Sequence, residues 1–187
     1  MPRRIAIVMG LLLMTVAGFA QIPTAGNVFV GYSLNRAQDG WSNAANLNGW
    51  EASVEGKIAP FVGMVLDAGT QYGTLQIPAV HITNNAGLIP TTSRVETLMV
   101  GPRVSMSVGR FRPFAHALLG YGHLHEDASS LQYSYPESCL VNAIGGGLDY
   151  RVIPHVALRL QGDDLQTRFR GGRQNDARMA VGAVLKF

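Results

Sequence analysis

Apolar and polar residues alternate along the last stretch of the chain, residues 177–187. Every second residue of this stretch is apolar: Ala177, Met179, Val181, Ala183, Leu185 and Phe187. The alternate set carries the charges, at Asp176, Arg178 and Lys186. Because successive side chains of a β-strand point to opposite faces, the pattern predicts a strand with one apolar and one charged face. We interpret it as the closing strand of a β-barrel whose apolar face contacts lipid.

The same two-residue period predicts seven further strands. They are Asn27–Asn35, Leu47–Ile58, Val62–Tyr72, Arg94–Ser105, Arg112–Gly122, Leu140–Arg151 and Val156–Gln166. The segments between strands are alternately long and short, and this rhythm, with strands of about ten residues, is typical of the smallest transmembrane barrels. The predicted fold class is all-β, an eight-stranded antiparallel up-and-down transmembrane β-barrel. Such a barrel is too narrow to be an open pore, because side chains nearly fill its interior.

Parts of the pattern are irregular. We expect long loops at 73–93 and 123–139, because neither segment keeps a clear alternation. Pro102 cannot donate a ladder hydrogen bond and predicts a bulge or a strand end. The fifth strand, Arg112–Gly122, is mostly apolar on both faces, so the sequence leaves its orientation open.

The N-terminus has the three parts of a secretory signal peptide. Arg3 and Arg4 supply positive charge, Ile5–Val16 is apolar, and Gly18 and Ala20 are small residues before the cut. A membrane-anchoring helix is the weaker alternative, since the apolar run is shorter than the roughly 17–25 residues that a span needs. We therefore expect a cleaved leader at residues 1–20 and one barrel domain at residues 21–187.

Charge and cysteine content exclude several classes of function. The chain has a net charge of +3, and removing Arg3 and Arg4 with the leader leaves 13 basic against 12 acidic residues. The basic pI therefore does not indicate a nucleic-acid partner. Cys139 is the only cysteine, which excludes an internal disulfide and a cysteine-based zinc site. We interpret it as a lone, inert thiol near a loop end.

In each predicted strand, every second residue points into the barrel, and these inward positions carry charges of both signs. The predicted set is Glu51, Glu55, Lys57, Asp67, Arg103, Asp149, Arg159 and Asp163. Because buried charges are costly unless paired, we expect an ion-pair network in the barrel interior. A gate or proton path is one interpretation, and a static polar plug that fixes strand register is the interpretation we favour.

Histidines near the predicted fifth strand invite a metal interpretation. His123 and His125 share one face, and Glu126 and Asp127 follow them, so a weak divalent-ion site is conceivable. His116 belongs to the same candidate set, but no third histidine or cysteine lies at a diagnostic spacing, so a solvated loop start is the interpretation we favour. We expect no metal ion and no cofactor.

An enzyme of the lipid A-modifying kind would need a serine, a histidine and an acid at the lipid-facing rim. Ser129 and Ser130 lie near His125 and Glu126, but no defined motif places them together. We expect no catalytic residues.

A basic cluster occupies the predicted last loop. Arg168, Arg170 and Arg173 lie within eleven residues of Arg178. Arginine suits bidentate contact with phosphate, so these side chains are candidates for contact with lipopolysaccharide, beside the alternative of an ordinary solvated loop.

Several short stretches together resemble the eight-stranded transmembrane barrels of the outer-membrane protein A/X-like family. They are Phe61–Asp67, Val100–Arg103, Arg112–His116, Gly145–Asp149 with Arg151, Pro154–His155 and the terminal Phe187. The resemblance implies an outer-membrane location and recognition of the Phe187 strand by the barrel assembly machinery. Larger members add a periplasmic peptidoglycan-binding domain that this chain lacks, so a cell-wall tether is not implied.

The sequence thus predicts a monomeric outer-membrane barrel with a structural or surface-interaction role. Its expected partners are membrane lipid, lipopolysaccharide and the assembly machinery, and its expected tasks are envelope integrity, lipopolysaccharide contact or adhesion. The rival is a soluble periplasmic barrel of lipocalin type that binds a small hydrophobic ligand, with the same alternation turned inside out.

Overall fold

The computed structural model describes residues 25–38, 44–78, 88–128, 133–167 and 174–187, and eight long strands account for almost all of them. The strands are β1 (Gly26–Gln38), β2 (Ala44–Lys57), β3 (Val62–Pro78), β4 (Leu88–Ser105), β5 (Phe111–Ala128), β6 (Tyr133–Ile153), β7 (Val156–Thr167) and β8 (Gln174–Lys186). Each strand pairs antiparallel with its neighbours in chain order, and β8 pairs with β1. The predicted fold class and strand number are therefore confirmed. None of the described residues lies in a helix long and apolar enough to cross a membrane.

The barrel closes where the first and last strands meet. Asn27 lies opposite Lys186, and Gly26 and Phe187 continue the ladder through two backbone hydrogen bonds of 3.0 and 3.1 Å. The same edge of the barrel carries the short connections at 58–61, 106–110 and 154–155. We call this edge the turn end and the opposite edge the loop end.

The outward face of the barrel carries two rings of exposed aromatic side chains. Near the loop end these are Tyr32, Trp50, Tyr72 and Tyr121, and near the turn end Phe61, Phe111, Tyr150 and Phe187. Phe111 and Tyr121 are ten residues apart on β5, which at ~3.3 Å per residue and a tilt of roughly 40° separates the rings by roughly 25 Å. That separation matches the apolar band of outer-membrane barrels, which aromatic girdles flank on both sides.

Aliphatic side chains cover the barrel wall between the two rings. Each presents about half or more of its surface to the outside: Val30, Leu66, Leu98, Leu119, Ile144, Leu160, Met179 and Val181. The structure also orients the fifth strand, since Phe114, His116 and Leu118 are buried while Leu119 and Tyr121 point outward. The outside of the barrel is thus the apolar side.

The strands reach further towards the loop end than the sequence pattern indicated. β3 stays paired with β4 up to Pro78 opposite Leu88, and β5 stays paired with β6 up to Ala128. The predicted long loops at 73–93 and 123–139 were therefore wrong. Their ladders continue beyond the apolar band, where neither face needs to be apolar, so the backbone pairing persists without hydrophobic alternation.

The prediction of a bulge or strand end at Pro102 was also wrong. Pro102 lies inside β4 opposite Met64, and the ladder to β5 skips Gly101 and Pro102 before it resumes in the same register. This local interruption is what a residue without an N–H donor produces. A register shift occurs instead between Arg151 and Ile153, where β6 approaches its turn.

Candidate functional site: the charged lumen

The structure places all eight predicted charged residues on the inward side of the strands. Seven of them are buried: Glu51, Glu55, Asp67, Arg103, Asp149, Arg159 and Asp163. The Lys57 side chain is 25% exposed, because it lies near the turn end. The seven buried residues come from five different strands, so the barrel wall brings together charges that are far apart in sequence.

Arg178 organises the cluster nearer the loop end. Its Nη2 and Nε atoms donate to Asp163 Oδ2 at 2.7 and 3.0 Å, and its Nη1 donates to Asp67 Oδ1 at 3.1 Å. Its Nε also lies 3.3 Å from Glu51 Oε2. One guanidinium on β8 thereby joins carboxylates on β2, β3 and β7. We call these four residues the upper cluster.

His116 connects the upper cluster to the turn-end half of the lumen. Its Nε2 lies 2.8 Å from Asp163 Oδ1, and its Nδ1 lies 3.2 Å from Arg103 Nη2. Because a guanidinium has donors and no acceptor, Nδ1 accepts from Arg103. The ring proton therefore belongs on Nε2, where it is donated to Asp163. His116 is thus a bridge between two buried charges, which explains why a histidine faces inward here.

A second cluster lies nearer the turn end. Glu55 accepts from Arg112 Nη2 at 2.6 Å, from Arg103 Nη1 at 3.3 Å and from Asn27 Nδ2 at 2.8 Å. Arg159 binds Asp149 with two parallel hydrogen bonds, of 2.7 and 3.1 Å. We call the charged residues here the lower cluster: Glu55, Arg103, Arg112, Asp149 and Arg159. Paired forks of this kind are the strongest arrangement available to arginine and carboxylate.

Aromatic rings support the guanidinium groups of the lower cluster. The Arg103 and Arg159 guanidinium carbons lie 4.3 and 4.6 Å from the centre of the Phe114 ring, on which both can stack. Gly147 leaves room for this ring, since a Cβ there would come within 2.7 Å of Phe114. Gly145 likewise leaves room for the Asp163 carboxylate, which a Cβ would approach to 2.0 Å. Two arginines and one ring thus fill the width of the lumen.

An apolar layer completes the lumen beside the upper cluster. It consists of Val65, Met99, Leu118, Val141, Ala143 and Leu165, and half-buried Cys139 packs against it. Three arginines of the two clusters are inaccessible to solvent, since Arg103, Arg159 and Arg178 are at most 1% exposed. A water-filled channel would have to touch these residues, so the lumen is filled at their level.

Sequence reasoning left three members of the network out of the predicted set. The sequence places Arg178 on the charged face of the last strand without a partner, gives Arg112 no role, and makes His116 a candidate metal ligand. The two-residue period of the strands nevertheless indicates that these side chains point inward, because each lies on the inward face of its strand. For His116 that signal was ambiguous, since the apolar residues on both faces of β5 hid which face pointed inward.

The other candidate residues lie outside the lumen or outside the described part of the chain. His123 and His125 share the outward face of β5 with ring centres 6.4 Å apart, and His123 lies 2.9 Å from Ser138 Oγ. Among the described residues, no group of three or more histidine, cysteine or acidic side chains could hold a metal ion. The leader at 1–20, Ser129 and Ser130, and the loop arginines Arg168, Arg170 and Arg173 lie outside the described residues.

Comparison with known proteins identifies the fold. No protein-family model and no curated protein matches the chain. Among solved structures, Neisserial surface protein A is 13% identical with a TM-score of 0.69, over 87% of this chain and 99% of that one. The attachment invasion locus protein Ail of Yersinia pestis, in complex with the heparin analogue sucrose octasulfate, is 15% identical with a TM-score of 0.60, over 87% and 98%.

The N-terminal β-barrel domain of OprF from Pseudomonas aeruginosa is 14% identical with a TM-score of 0.55, over 87% of this chain and 99% of that domain. These three proteins are outer-membrane barrels, and the chain has their fold. The resemblance noted in the sequence is confirmed at the level of architecture.

We expect Arg178→Met to lower the free energy of unfolding by about 3–5 kcal/mol, because it leaves buried carboxylates without their cation. Adding Asp163→Asn should recover part of this loss, with a coupling of about 0.5–3 kcal/mol. Both effects are measured by urea unfolding of the barrel in detergent micelles, with gel migration as the readout of the folded fraction. Arg36→Met is the control, since this exposed residue should change stability by at most about 0.5 kcal/mol. Equal, small effects of Arg178→Met and Arg36→Met would contradict the network.

Proposed function

We propose that the chain is a small integral outer-membrane barrel with a structural and surface-interaction role, exported by its leader and inserted as a monomer. The observation that carries this proposal is that the polar and apolar sides of the barrel are exchanged relative to a soluble protein. Charged side chains are buried inside, and an apolar band between two aromatic rings covers the outside. Lipid is the environment that makes such an outer surface favourable, and a closed barrel leaves no unpaired strand edge in lipid.

A soluble lipocalin-like barrel is poorly supported by this arrangement. Its ligand cavity would be apolar and its outer wall polar. Here Arg103, Arg159 and Arg178 occupy the centre of the lumen, and Leu66 and Leu160 are more than half exposed on the wall. We also propose that the barrel is not an open pore, since the filled lumen supports a plug. That the barrel is not an enzyme stays a prediction from the sequence.

The loop end supports the surface-interaction part of the proposal. β6 spans 21 residues, about twice the roughly 9–11 residues needed to cross a membrane. Beyond the ring of aromatic side chains near the loop end, the outward face becomes polar, with the Arg94–Glu96 ion pair beside His123. The strands thus extend a rigid, water-compatible rim above the lipid. Ail, the attachment invasion locus protein that shares the fold, forms a complex with the heparin analogue sucrose octasulfate.

We further propose that Arg168, Arg170 and Arg173 contact lipopolysaccharide phosphates above this rim. The Phe187 strand is proposed as the signal read by the barrel assembly machinery. In support, the Phe187 side chain is 62% exposed on the apolar side while its backbone pairs with Gly26.

The location of the protein is tested by fractionation and gel migration. We expect the protein in the outer-membrane fraction, resistant to carbonate extraction, because the apolar band must remain in lipid. Unboiled samples should migrate differently from boiled samples in SDS gels, because the lumen network resists detergent until it is heated. A periplasmic soluble protein that migrates identically with and without heating would refute the proposal.

Lipopolysaccharide contact is tested with the triple variant Arg168→Gln, Arg170→Gln and Arg173→Gln. We expect at least tenfold weaker binding of purified lipopolysaccharide to the variant in nanodiscs, because three phosphate contacts are lost. The matched control changes Arg110, Arg151 and Lys186 to Gln, which removes three positive charges at the turn end and should leave binding within twofold. Unchanged affinity of the triple variant removes this part of the proposal.

A further inference from the structure

A cavity of about 400 Å³ opens at the turn end, on the opposite side of the lumen plug from the loops. Its polar lining consists of Asn27, Lys57, Ser105, Ser107, Arg112, Arg151 and Lys186. Four of these side chains are cationic. We call this cavity the basic vestibule.

Positive charge exceeds negative charge around the basic vestibule. The carboxylates beneath it are Glu55 and Asp149, and both are already engaged by arginines of the lower cluster. Lys57, Arg151 and Lys186 add three further cations at the mouth. Even with the carboxylate of Phe187 counted, the mouth keeps a positive surplus. This surplus contrasts with the upper cluster, where three carboxylates surround Arg178.

The cations are held in place and keep donors available. Lys57 Nζ donates to Ser105 Oγ at 2.8 Å and lies 3.8 Å from Glu55. Arg112 uses Nη2 for Glu55 and Ser105, while its Nη1 is 3.8 Å from Asp149, beyond hydrogen-bond distance. Because an ammonium has three donors and a guanidinium five, both groups retain capacity for an anion in the cavity. Buried Glu55 therefore positions two cations towards the mouth.

We propose that the basic vestibule binds the phosphate group of a small, diffusible phosphorylated molecule. A phosphate monoester carries about −1.5 to −2 charges and several strong acceptor oxygens, which matches a site with four cations better than a single carboxylate does. Arginine forks bind such oxygens bidentately. A volume of about 400 Å³ lies at the small end of the range for ligand-binding sites. The expected ligand is therefore about the size of a sugar phosphate or glycerol phosphate.

The rim favours a diffusible ligand over a membrane headgroup. Phe61 and Phe187 line the vestibule and are 59% and 62% exposed, and Pro60 and Pro154 lie beside them. This apolar rim lies between the cations and the surrounding lipid. The vestibule is therefore approached along the barrel axis, from water.

The proposal is tested by isothermal titration of glycerol 3-phosphate into the protein in phosphate-free dodecyl maltoside micelles. We expect saturable 1:1 binding that weakens as salt is raised, because the contacts are ionic. The double variant Lys57→Gln and Arg151→Gln should bind at least tenfold more weakly. The control double variant Arg36→Gln and Arg94→Gln removes the same charge at the loop end and should bind within twofold of wild type.

Both variants must keep the wild-type gel shift on heating, which separates lost binding from lost folding. Failure of wild type to bind glycerol 3-phosphate, or equal weakening in the two double variants, would overturn the proposal. A parallel titration uses micelles containing phosphatidylglycerol, with native mass spectrometry as the readout. Binding of that lipid alone, dependent on Lys57 and Arg151, would assign the site to a headgroup and overturn a diffusible ligand.

Discussion

The pairing of buried charges across the lumen is the interaction on which this barrel depends. Removing a carboxylate or a guanidinium from water costs several kcal/mol, and the cost is offset only by good geometry and further hydrogen bonds. Arg178 meets this condition by joining carboxylates on three other strands, one of them 111 residues away in sequence. Since these contacts form only when every strand is in register, the network specifies the closed barrel as well as stabilising it. A shift of one strand by one residue would turn its charges towards the lipid.

The same network fills the lumen, which supports the proposal that the barrel is not an open pore. Eight strands enclose a lumen only wide enough for side chains, and here the side chains form layers. The lower cluster packs its arginines against Phe114, the upper cluster surrounds Arg178, and the apolar layer next to it adds Met99 and Leu118. We therefore propose that function lies at the two ends of the barrel. The loop end carries a polar rim and the turn end carries the basic vestibule, and the filled centre keeps the two apart.

The sequence was most informative where one face of a strand meets lipid. There the side chains must be apolar, so the two-residue period of β1, β2 and β8 was sufficient to predict which residues face inward. The pattern is lost above the lipid, because water on the outside removes the need for alternation, and there the sequence predicts loops where β3 to β6 have paired extensions. It was also silent on β5, where small and apolar residues on both faces concealed the inward direction of His116.

The choice of ion-pair partners could not be predicted for a different reason. The two-residue period identifies the face of the strand on which a residue lies. Its position along the barrel axis depends on the register of all eight strands together. Arg178 and Arg159 both face inward, yet one joins Asp163 and Asp67 while the other joins Asp149. Only the closed barrel fixes those positions, which is why the sequence indicates inward faces but does not name every member of the network.

The central claim, that the charge network is a static plug, is tested most directly by conductance in planar lipid bilayers. Wild type and Arg103→Met would be recorded side by side, because Arg103 contacts Glu55, His116 and Phe114 in the lumen. Neither protein should show stepwise conductance, and Arg103→Met should only lose its gel shift at a lower temperature. Discrete conductance steps from wild type, or their appearance in Arg103→Met, would contradict the plug and favour a gated path through the lumen.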